Sequence, residues 1–190
     1  TIHTRRGEHT VSVDEQPHKA NLEKIPQLRP AFAEGGTITP ANSSSISDGA
    51  SALLLASEDV AANHGLMPRA RIVAHTRNSL APEDFTLAPI GAAEQVLAKA
   101  GWSASDVDLW EINEAFAMVT MLTTRALDLD PACVNVHGGA CAQGHPIGST
   151  GSRIIVTLMH ALKHYGKQRG VAALCIGGGE ATAVAIELVS

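Results

Sequence analysis

The stretch GGACAQGHPIGSTG, residues 138–151, contains five glycines, one cysteine and one histidine in fourteen positions. Glycine lacks a Cβ and adopts backbone angles that other residues avoid, so the chain can turn tightly here or approach a ligand closely. Proline suits the first turn of a helix because it has no N–H to leave unpaired. His145 stands between Gly144 and Pro146, where a strand is predicted to give way to a helix. We therefore expect the position of its ring to matter.

Around this stretch, strand-like and helix-like segments alternate from residue 70 onward. The predicted strands are RIVAHT, VDLWEI, VNVHGGA, VAALCIGGG and TAVAIELV, at residues 71–76, 107–112, 134–140, 171–179 and 182–189. The predicted helices cover residues 89–101, 113–129 and 148–166. This order is typical of an α/β fold in which helices pack on a sheet.

The residues before this region are less regular. The first 46 are polar and weakly periodic, and they predict irregular structure with a short strand near Thr10–Val13. A helix is predicted next, over residues 48–64, with Asp48 as its N-cap and Gly65 at its end.

The composition limits the classes of function. The chain of 190 residues is 45% hydrophobic and carries a formal charge of −5, so a folded core is expected and a nucleic-acid partner is not. No apolar run is long enough to cross a bilayer, so no membrane partner is expected either. The three cysteines are too few and too widely spaced for a disulfide framework, which favours free thiols and a cytoplasmic location.

Three polar positions are the strongest candidates for chemistry. Asn113, His145 and Cys175 each lie where a predicted strand ends or a helix begins, at spacings of 32 and 30 residues. In open α/β sheets, ligands bind in the crevice beyond the strand ends. We therefore expect the three side chains to converge on one edge of the sheet.

Each position also has a purely structural interpretation. Asn113 suits the N-cap of the helix that follows, and His145 could simply anchor a helix start. Cys175 could be a small buried residue at a strand end. Three glycines follow Cys175, and they favour a bend or the close approach of a ligand. An imidazole at residue 145 would be able to act as a general base or to donate to an oxyanion.

Other candidates are weaker. His160 and His164 share a helix face but lack the glutamate of a zinc-protease motif, which favours a solvated surface over a metal site. Cys133 and Cys141 have no base nearby in sequence and are expected to be packing residues. The run NSSSISDG, residues 42–49, is either a flexible loop or a hydroxyl-lined path for an amide-containing ligand.

Three blocks of sequence resemble the thiolase family. NEAFA (113–117), NVHGGACAQGHPIGSTGSR (135–153) and CIGGG (175–179) resemble its carboxy-terminal signature blocks, in order and at the usual spacing. LRPAF (28–32) and ANSSSISDGASALLLAS (41–57) resemble the stretch just upstream. The resemblance covers essentially the whole chain and is greatest to the acetyl-CoA acetyltransferase branch, the acetoacetyl-CoA thiolases.

The resemblance implies the layered αβαβα thiolase fold. Residues 1–46 would be the tail of the family's loop domain, 47–69 the last helix of its amino-terminal domain, and 70–190 its carboxy-terminal domain. The family's nucleophilic cysteine lies in the amino-terminal half, and nothing here matches its motif. We therefore expect the chain to be the carboxy-terminal half and, alone, to be inactive.

The resemblance also implies a reaction, either the condensation of two acetyl-CoA molecules or the thiolytic cleavage of a 3-ketoacyl-CoA. His145 would activate the nucleophilic cysteine and, with a water held by Asn113, stabilise an enolate oxygen. Cys175 would move the α-proton, and the Gly177 N–H would contribute to an oxyanion hole.

Substrate contacts and partners follow from the same resemblance. Ser44 would contact the pantetheine arm, and Phe116 would wall the acyl pocket. CoA thioesters would be substrates, with no further cofactor and no metal. The expected partners are acyl-CoA, CoA and the amino-terminal half of the same thiolase, in a homodimer or homotetramer.

The sequence departs from the family at two positions, and two other functions remain open. Ala181 stands where a further glycine is frequent, and His18 where an arginine is common, which puts one contact to the CoA nucleotide in doubt. A non-catalytic acyl-CoA or lipid-binding module is one alternative, although it would need no proton shuttle. A condensing enzyme of the ketoacyl synthase type is the other, and the cysteine of CIGGG argues against it.

Overall fold

The computed structural model describes residues 1–189, with the backbone alone at positions 17 and 19. A small antiparallel hairpin and short helices form the first third of the chain. They are β1 (Ile2–Thr4), β2 (Gly7–His9), α1 (Glu15–Lys19) and α2 (Glu58–Asn63), with 3-10 turns at Leu22–Gln27 and Pro40–Asn42.

The rest of the chain alternates strands and helices, as predicted. The elements are β3 (Ala70–Ser79), α3 (Ala88–Ala100), β4 (Leu109–Ile112), α4 (Ala117–Ala126), α5 (Ala140–Gln143), α6 (Thr150–His164), β5 (Arg169–Ile176) and β6 (Glu180–Leu188). Further 3-10 turns lie at Pro82–Asp84, Ala104–Asp106 and Pro131–Cys133.

Four of the strands form one mixed sheet in the order β3-β6-β5-β4. β4 and β5 are parallel, whereas β6 is antiparallel to both β5 and β3. The carboxyl ends of β4 and β5 therefore meet at the same edge, with Ile112 opposite Ala173. This register places Asn113 just beyond the end of β4 and Cys175 in the last two residues of β5, the adjacent parallel strand.

Helices cover both faces of the sheet, which gives the α/β layering predicted from the sequence. α3 packs small residues such as Ala92 and Ala93 into a core shared with Val171 and Ala183. On the other face, α6 buries residues at helical spacing, among them Ile154, Leu158 and Leu162. Gly170 of β5 lies directly under Leu158, where a Cβ would collide with that side chain, so the helix and the sheet approach closely.

Four predicted elements differ from the structure. The strand expected near Thr10–Val13 is absent, and the hairpin lies earlier, at residues 2–9. The helix expected over 48–64 begins only at Glu58, because Ser57 rather than Asp48 caps it. The helix expected over 113–129 begins at Ala117.

The fourth difference is the strand expected over 134–140, which does not form. Val134 makes one isolated bridge to Trp110, and Asn135 has a left-handed φ of 48°. The Asn135 side chain takes the place of a strand partner, because it accepts from the Ile112 N–H at 2.8 Å and donates to the Ile112 carbonyl at 2.9 Å. The side-chain amide of Asn135 therefore satisfies the backbone of Ile112 at the edge of β4.

Residues 49–56 form no helix or strand and expose apolar side chains. Leu54 and Leu55 are 83% and 69% exposed. The two leucines are adjacent, so the exposed apolar surface is continuous at this point. Within residues 1–189, no helix is both long and apolar enough to pass through a bilayer.

Candidate functional site

Asn113 lies at the end of β4 and faces two other polar side chains. Its backbone N–H donates to the Ala173 carbonyl at 2.9 Å, and the residue is 1% exposed. Its side-chain Nδ2 lies 3.5 Å from Nε2 of His145, and its Oδ1 accepts from Nη2 of Arg153 at 3.4 Å. The N-cap interpretation is therefore wrong, since Phe116 is the N-cap of α4.

His145 lies in the loop between α5 and α6, and two contacts hold it in addition to the one with Asn113. Its N–H donates to the Ser45 carbonyl at 2.8 Å, and its Nδ1 lies 2.7 Å from the Thr150 hydroxyl oxygen. That hydroxyl donates to the Pro146 carbonyl at 3.0 Å, so it is free only to accept from Nδ1–H. This arrangement favours the neutral tautomer that has its proton on Nδ1 and its lone pair on Nε2.

The loop geometry explains the glycine and proline on either side of His145. Gly144 has φ +91°, and a Cβ there would collide with the Ser47 side chain. The Pro146 carbonyl accepts from the N–H groups of Ser149 and Thr150, which starts α6. The ring of His145 is thus fixed by the close approach of residues 45–47 on one side and by α6 on the other.

The environment keeps His145 neutral. Burial lowers the pKa of its imidazole, and the nearby positive charge of Arg153 lowers it further. An imidazole with a lone pair on Nε2 and a lowered pKa is a competent proton acceptor at neutral pH.

A groove lies beside His145. It has a volume of about 360 Å³ and is lined by residues 47–51 and 146–149. The Ser51 hydroxyl holds its two walls together through Ser149 Oγ at 2.7 Å and Ser152 Oγ at 2.6 Å. The serine-rich segment is thereby fastened to the start of α6 although it forms no secondary structure at this point.

Cys175 lies at the end of β5, next to β4. It is 6% exposed, and it belongs to the core that also contains Ile112, Ala181 and Phe116. Burial raises the pKa of its thiol, so the sulfur carries its proton at neutral pH. Among residues 1–189, no hydrogen bond joins the Cys175 sulfur to the His145 ring, whose hydrogen-bond partners are Asn113 and Thr150.

The glycine turn after β5 leaves one amide free. Gly179 has φ +95°, and a Cβ there would collide with the Leu80 carbonyl. The backbone N–H of Leu80 donates to the Gly179 carbonyl at 2.8 Å, so the two segments approach closely. The N–H of Gly177 has no hydrogen-bond acceptor among the described residues, and the space beside Gly177 is open. Ala181 is fully buried opposite Cys175, so its methyl group fits where the family frequently has glycine.

Ser44 and Phe116 lie together, beside the NEAF segment. The N–H and the hydroxyl of Ser44 both donate to the Ala115 carbonyl, at 3.1 and 3.0 Å. The Phe116 ring packs edge-on against Phe32 and Phe85, with centroids 5.7 and 6.2 Å away. The three phenylalanine rings form an apolar wall next to Ser44, whose hydroxyl is hydrogen-bonded to the Ala115 carbonyl.

Among the described residues, none of the weaker candidate histidines and cysteines is hydrogen-bonded to Asn113, His145 or Cys175. His164 packs edge-on against Tyr165, and among the described residues no group of three or more His, Cys, Asp or Glu side chains is arranged to hold a metal ion. Cys141 is half-buried, and burial together with the nearby Glu114 raises the pKa of its thiol to about 11. Cys133 packs against the core under α6, and His18 lies exposed on α1.

Sequence reasoning did not single out three residues of the site. Thr150 and Arg153 fall inside the block 135–153, three positions apart on one face of α6. Glu111 is a charged residue in the otherwise apolar strand LWEI, and it is 2% exposed. A carboxylate in a buried strand with no partner nearby in sequence is the signal that could have identified it.

Comparison with known proteins identifies the family. The chain matches the model of the thiolase C-terminal domain over residues 66–188 and that of the thiolase N-terminal domain over residues 1–59. The cytosolic acetyl-CoA acetyltransferase of Mus musculus is 47% identical over 189 residues, which are 98% of this chain and 48% of the mouse protein.

Solved structures agree. The crystal structure of the Bacillus anthracis acetyl-CoA acetyltransferase matches with a TM-score of 0.89 and 43% identity, over 99% of this chain and 48% of that one. Human mitochondrial 3-ketoacyl-CoA thiolase in complex with CoA matches with a TM-score of 0.82 and 38% identity, over 90% of this chain and 44% of that one. The chain thus spans about half the length of its relatives. It belongs to the thiolase family.

Proposed function

We propose that the chain supplies the carboxy-terminal part of a thiolase active site, which condenses two acetyl-CoA molecules or cleaves a 3-ketoacyl-CoA with CoA. The observation that carries this proposal is the pairing of Asn113 with a neutral His145 at 3.5 Å, next to the strand that ends in Cys175. The relatives named acetyl-CoA acetyltransferase support the acetyl-CoA branch, and the thiolase bound to CoA supports CoA thioesters as substrates.

In the cleavage direction, the first proton moves to His145. Nε2 takes it from the nucleophilic cysteine of the amino-terminal half, and the resulting thiolate attacks the 3-keto carbon of the substrate. The ring now has a proton on each nitrogen, so its Nε2–H becomes a donor. The protonated His145 ring is therefore able to donate to the enolate oxygen that forms in the next step.

The carbon–carbon bond then breaks. Its electron pair forms the enolate of acetyl-CoA, whose oxygen accepts from His145 and from a water held by Asn113. The Cys175 thiol gives its proton to the α-carbon, a role that suits a thiol whose pKa is raised by burial. Preformed donors of this kind contribute about 10²–10³ in rate each.

The second half of the cycle returns the enzyme to its starting state. The Cys175 thiolate takes the proton of the CoA thiol, and the CoA sulfur attacks the acyl-cysteine. His145 returns its Nε2 proton to the leaving cysteine sulfur, and acyl-CoA is released. The oxyanion of this tetrahedral intermediate would accept from the free Gly177 N–H. Condensation follows the same steps in reverse, with Cys175 removing the α-proton.

Substrate contacts and partners complete the proposal. Ser44 would contact the pantetheine arm and Phe116 would wall the acyl pocket, with no cofactor or metal beyond the CoA thioesters. The amino-terminal half would cover Leu54 and Leu55, which are exposed in this chain. Residues 1–46 would belong to the loop domain, residues 47–69 to the amino-terminal domain and residues 70–190 to the carboxy-terminal domain. A cytoplasmic homodimer or homotetramer in fatty acid metabolism is the expected context.

The test is reconstitution of the missing half. The chain is co-expressed with the amino-terminal half of the mouse cytosolic relative, and thiolysis of acetoacetyl-CoA is followed with free CoA. We expect activity from the two halves together, none from either alone, and a loss of at least about 10²-fold in His145→Ala. Cys133→Ala serves as the matched control and should keep the activity.

Two outcomes would count against the proposal. Full activity of His145→Ala in the reconstituted protein would remove the proposed role of the ring. Saturable binding of acetyl-CoA without thiolysis, by a reconstituted protein that is folded, would favour the non-catalytic acyl-CoA-binding module instead.

A further inference from the structure

A buried ion pair lies directly behind Asn113. Nη1 of Arg153 is 4.0 Å from Oε2 of Glu111, and the two side chains are only 18% and 3% exposed. Glu111 lies on β4 two residues after Leu109, which packs in the core under α6, and Asn113 follows the strand two residues later. The alternation of a strand therefore directs Glu111 and Asn113 to the α6 side of the sheet. Arg153 therefore lies between a carboxylate and the amide that faces His145.

This pair is costly for the fold. Glu111 Oε1 and Arg153 Nη1 are both buried without a hydrogen-bond partner. Taking two charges out of water costs several kcal/mol per ion, and a gap of 4.0 Å returns only part of that. Replacement of a buried ion pair by well-packed apolar residues is often neutral or stabilising. The pair calls for a role other than stability.

The geometry of Asn113 supplies that role. A side-chain amide has one acceptor end and one donor end, and it can rotate by half a turn with little change in shape. Arg153 donates to Oδ1, which leaves Nδ2 facing the lone pair on Nε2 of His145. In the rotated amide, Oδ1 would face that lone pair and Nδ2 would face the guanidinium, and both contacts would be repulsive.

We propose that Glu111 and Arg153 are positioning residues that hold the Asn113 amide with its N–H₂ end toward His145. The inference rests on the proposed function, because the orientation matters for catalysis only if Asn113 holds a water or a substrate oxygen. Donation to Oδ1 also polarises the amide and makes its N–H a stronger donor, since hydrogen bonds in a chain reinforce one another. Arg153 thus acts through Asn113, while Glu111 holds Arg153.

The charge on Glu111 links this arrangement to pH. Burial, with a smaller contribution from the neighbouring Glu114, raises the pKa of Glu111 to about 7, although Arg153 opposes the shift. The pair therefore changes its net charge near neutral pH. The resonance of the Asn113 side-chain amide should follow that change, because Arg153 lies between the two residues.

The experiment uses the reconstituted protein with ¹⁵N label only in this chain. Arg153→Met removes the guanidinium at similar volume, Arg153→Lys keeps its charge, and Glu111→Gln removes the titration. Arg169→Met and Glu187→Gln are matched controls, because Arg169 donates to Glu187 at 3.0 Å on strands β5 and β6, in contacts separate from those of Asn113. Thiolysis kinetics and the Asn113 amide resonance are measured for each variant.

We expect Arg153→Met to lower kcat by about tenfold or more with KM for CoA unchanged, and Arg153→Lys to restore part of the loss. In the unmodified chain the Asn113 resonance should titrate near pH 7. In Glu111→Gln that titration should disappear, and both controls should behave as the unmodified chain.

The inference fails if Arg153→Met keeps kcat within about twofold and the Asn113 resonance shows no titration that depends on Glu111. If Arg153→Met does not fold, the kcat of Arg153→Lys and the Asn113 amide resonance of Glu111→Gln test the inference in its place. An inactive unmodified protein would contradict the proposed function instead, and the amide resonance would still report whether the pair orients Asn113.

Discussion

The Thr150 hydroxyl lies 2.7 Å from Nδ1 of His145 and donates its own proton to the Pro146 carbonyl, 3.0 Å away. A hydroxyl has one proton, so while it donates to that carbonyl it accepts from the imidazole. The first turn of α6 therefore decides which ring nitrogen is the base. On the other side of the ring, the Asn113 amide faces the lone pair on Nε2, and Arg153 donates to the oxygen of that amide.

Replacing Thr150 should change the tautomer of His145. In Thr150→Val the Nδ1–H loses its acceptor, which costs about 1–3 kcal/mol and favours the proton on Nε2. We expect thiolysis by the reconstituted protein to fall about tenfold, with a change in the ¹⁵N shifts of the ring. Thr123→Val is the control, because Thr123 is equally buried but donates only to Val119 within α4. Unchanged ring shifts in Thr150→Val would contradict the assignment.

Glu111 should make the stability of the protein fall as the pH rises. Its pKa of about 7 in the folded chain lies above its ordinary value of 4.5, so the folded state holds the proton more tightly than the unfolded state. The stabilisation is complete below the unfolded pKa and is lost as the pH rises through the folded one. Relative to Glu111→Gln, the unmodified protein should lose about 3 kcal/mol of unfolding free energy from about pH 4 to about pH 8.

Chemical denaturation at several pH values measures this difference. Parallel curves for the unmodified protein and Glu111→Gln over that range would show that the carboxyl group is not desolvated as the structure indicates.

The glycine turn should tolerate a side chain at one position and not at another. Gly179→Ala forces a methyl group against the Leu80 carbonyl at φ +95°, and it should cost about 2 kcal/mol or more of unfolding free energy. Gly177→Ala meets open space and should leave the melting temperature nearly unchanged. Thermal unfolding of the two variants compares them directly, and equal losses would contradict the turn geometry.

The exposed leucines should be needed for assembly with the amino-terminal half. Leu54→Lys and Leu55→Lys should abolish co-purification of the two halves, because a charge cannot be buried there without a partner. Met121→Lys, at another exposed apolar position, is the control. Normal assembly of the lysine variants would show that residues 49–56 lie outside the contact.

Periodicity in the sequence was sufficient to predict the four strands of the mixed sheet, although not their order, and the two longest helices. α3 and α6 bury residues at helical spacing, and β5 and β6 are short apolar runs joined by glycines. The alternation VNV at 134–136 predicted a strand that does not form, because Asn135 adopts a left-handed φ and pairs through its side chain. The apolar run at 52–56 fits a helix or an extended segment equally well, so local pattern alone could not decide it.

The site was predictable where it depends on strand ends and not where it depends on tertiary contacts. Asn113 and His145 were expected to converge, and the structure brings them within 3.5 Å. Arg153 lies 40 residues from Asn113 in sequence, and no local pattern links the two. The structural interpretation of Asn113 as a helix cap failed because residues 113–116 precede the helix.

The most direct test of the account is exchange of the α-protons of acetyl-CoA with solvent deuterium in the reconstituted protein, which isolates enolate formation from acyl transfer. We predict that Cys175→Ala and His145→Ala each lower the exchange rate by about 10²-fold or more, and that Cys133→Ala leaves it unchanged. Exchange at the unmodified rate in Cys175→Ala or His145→Ala would contradict the claim that these side chains act on one thioester.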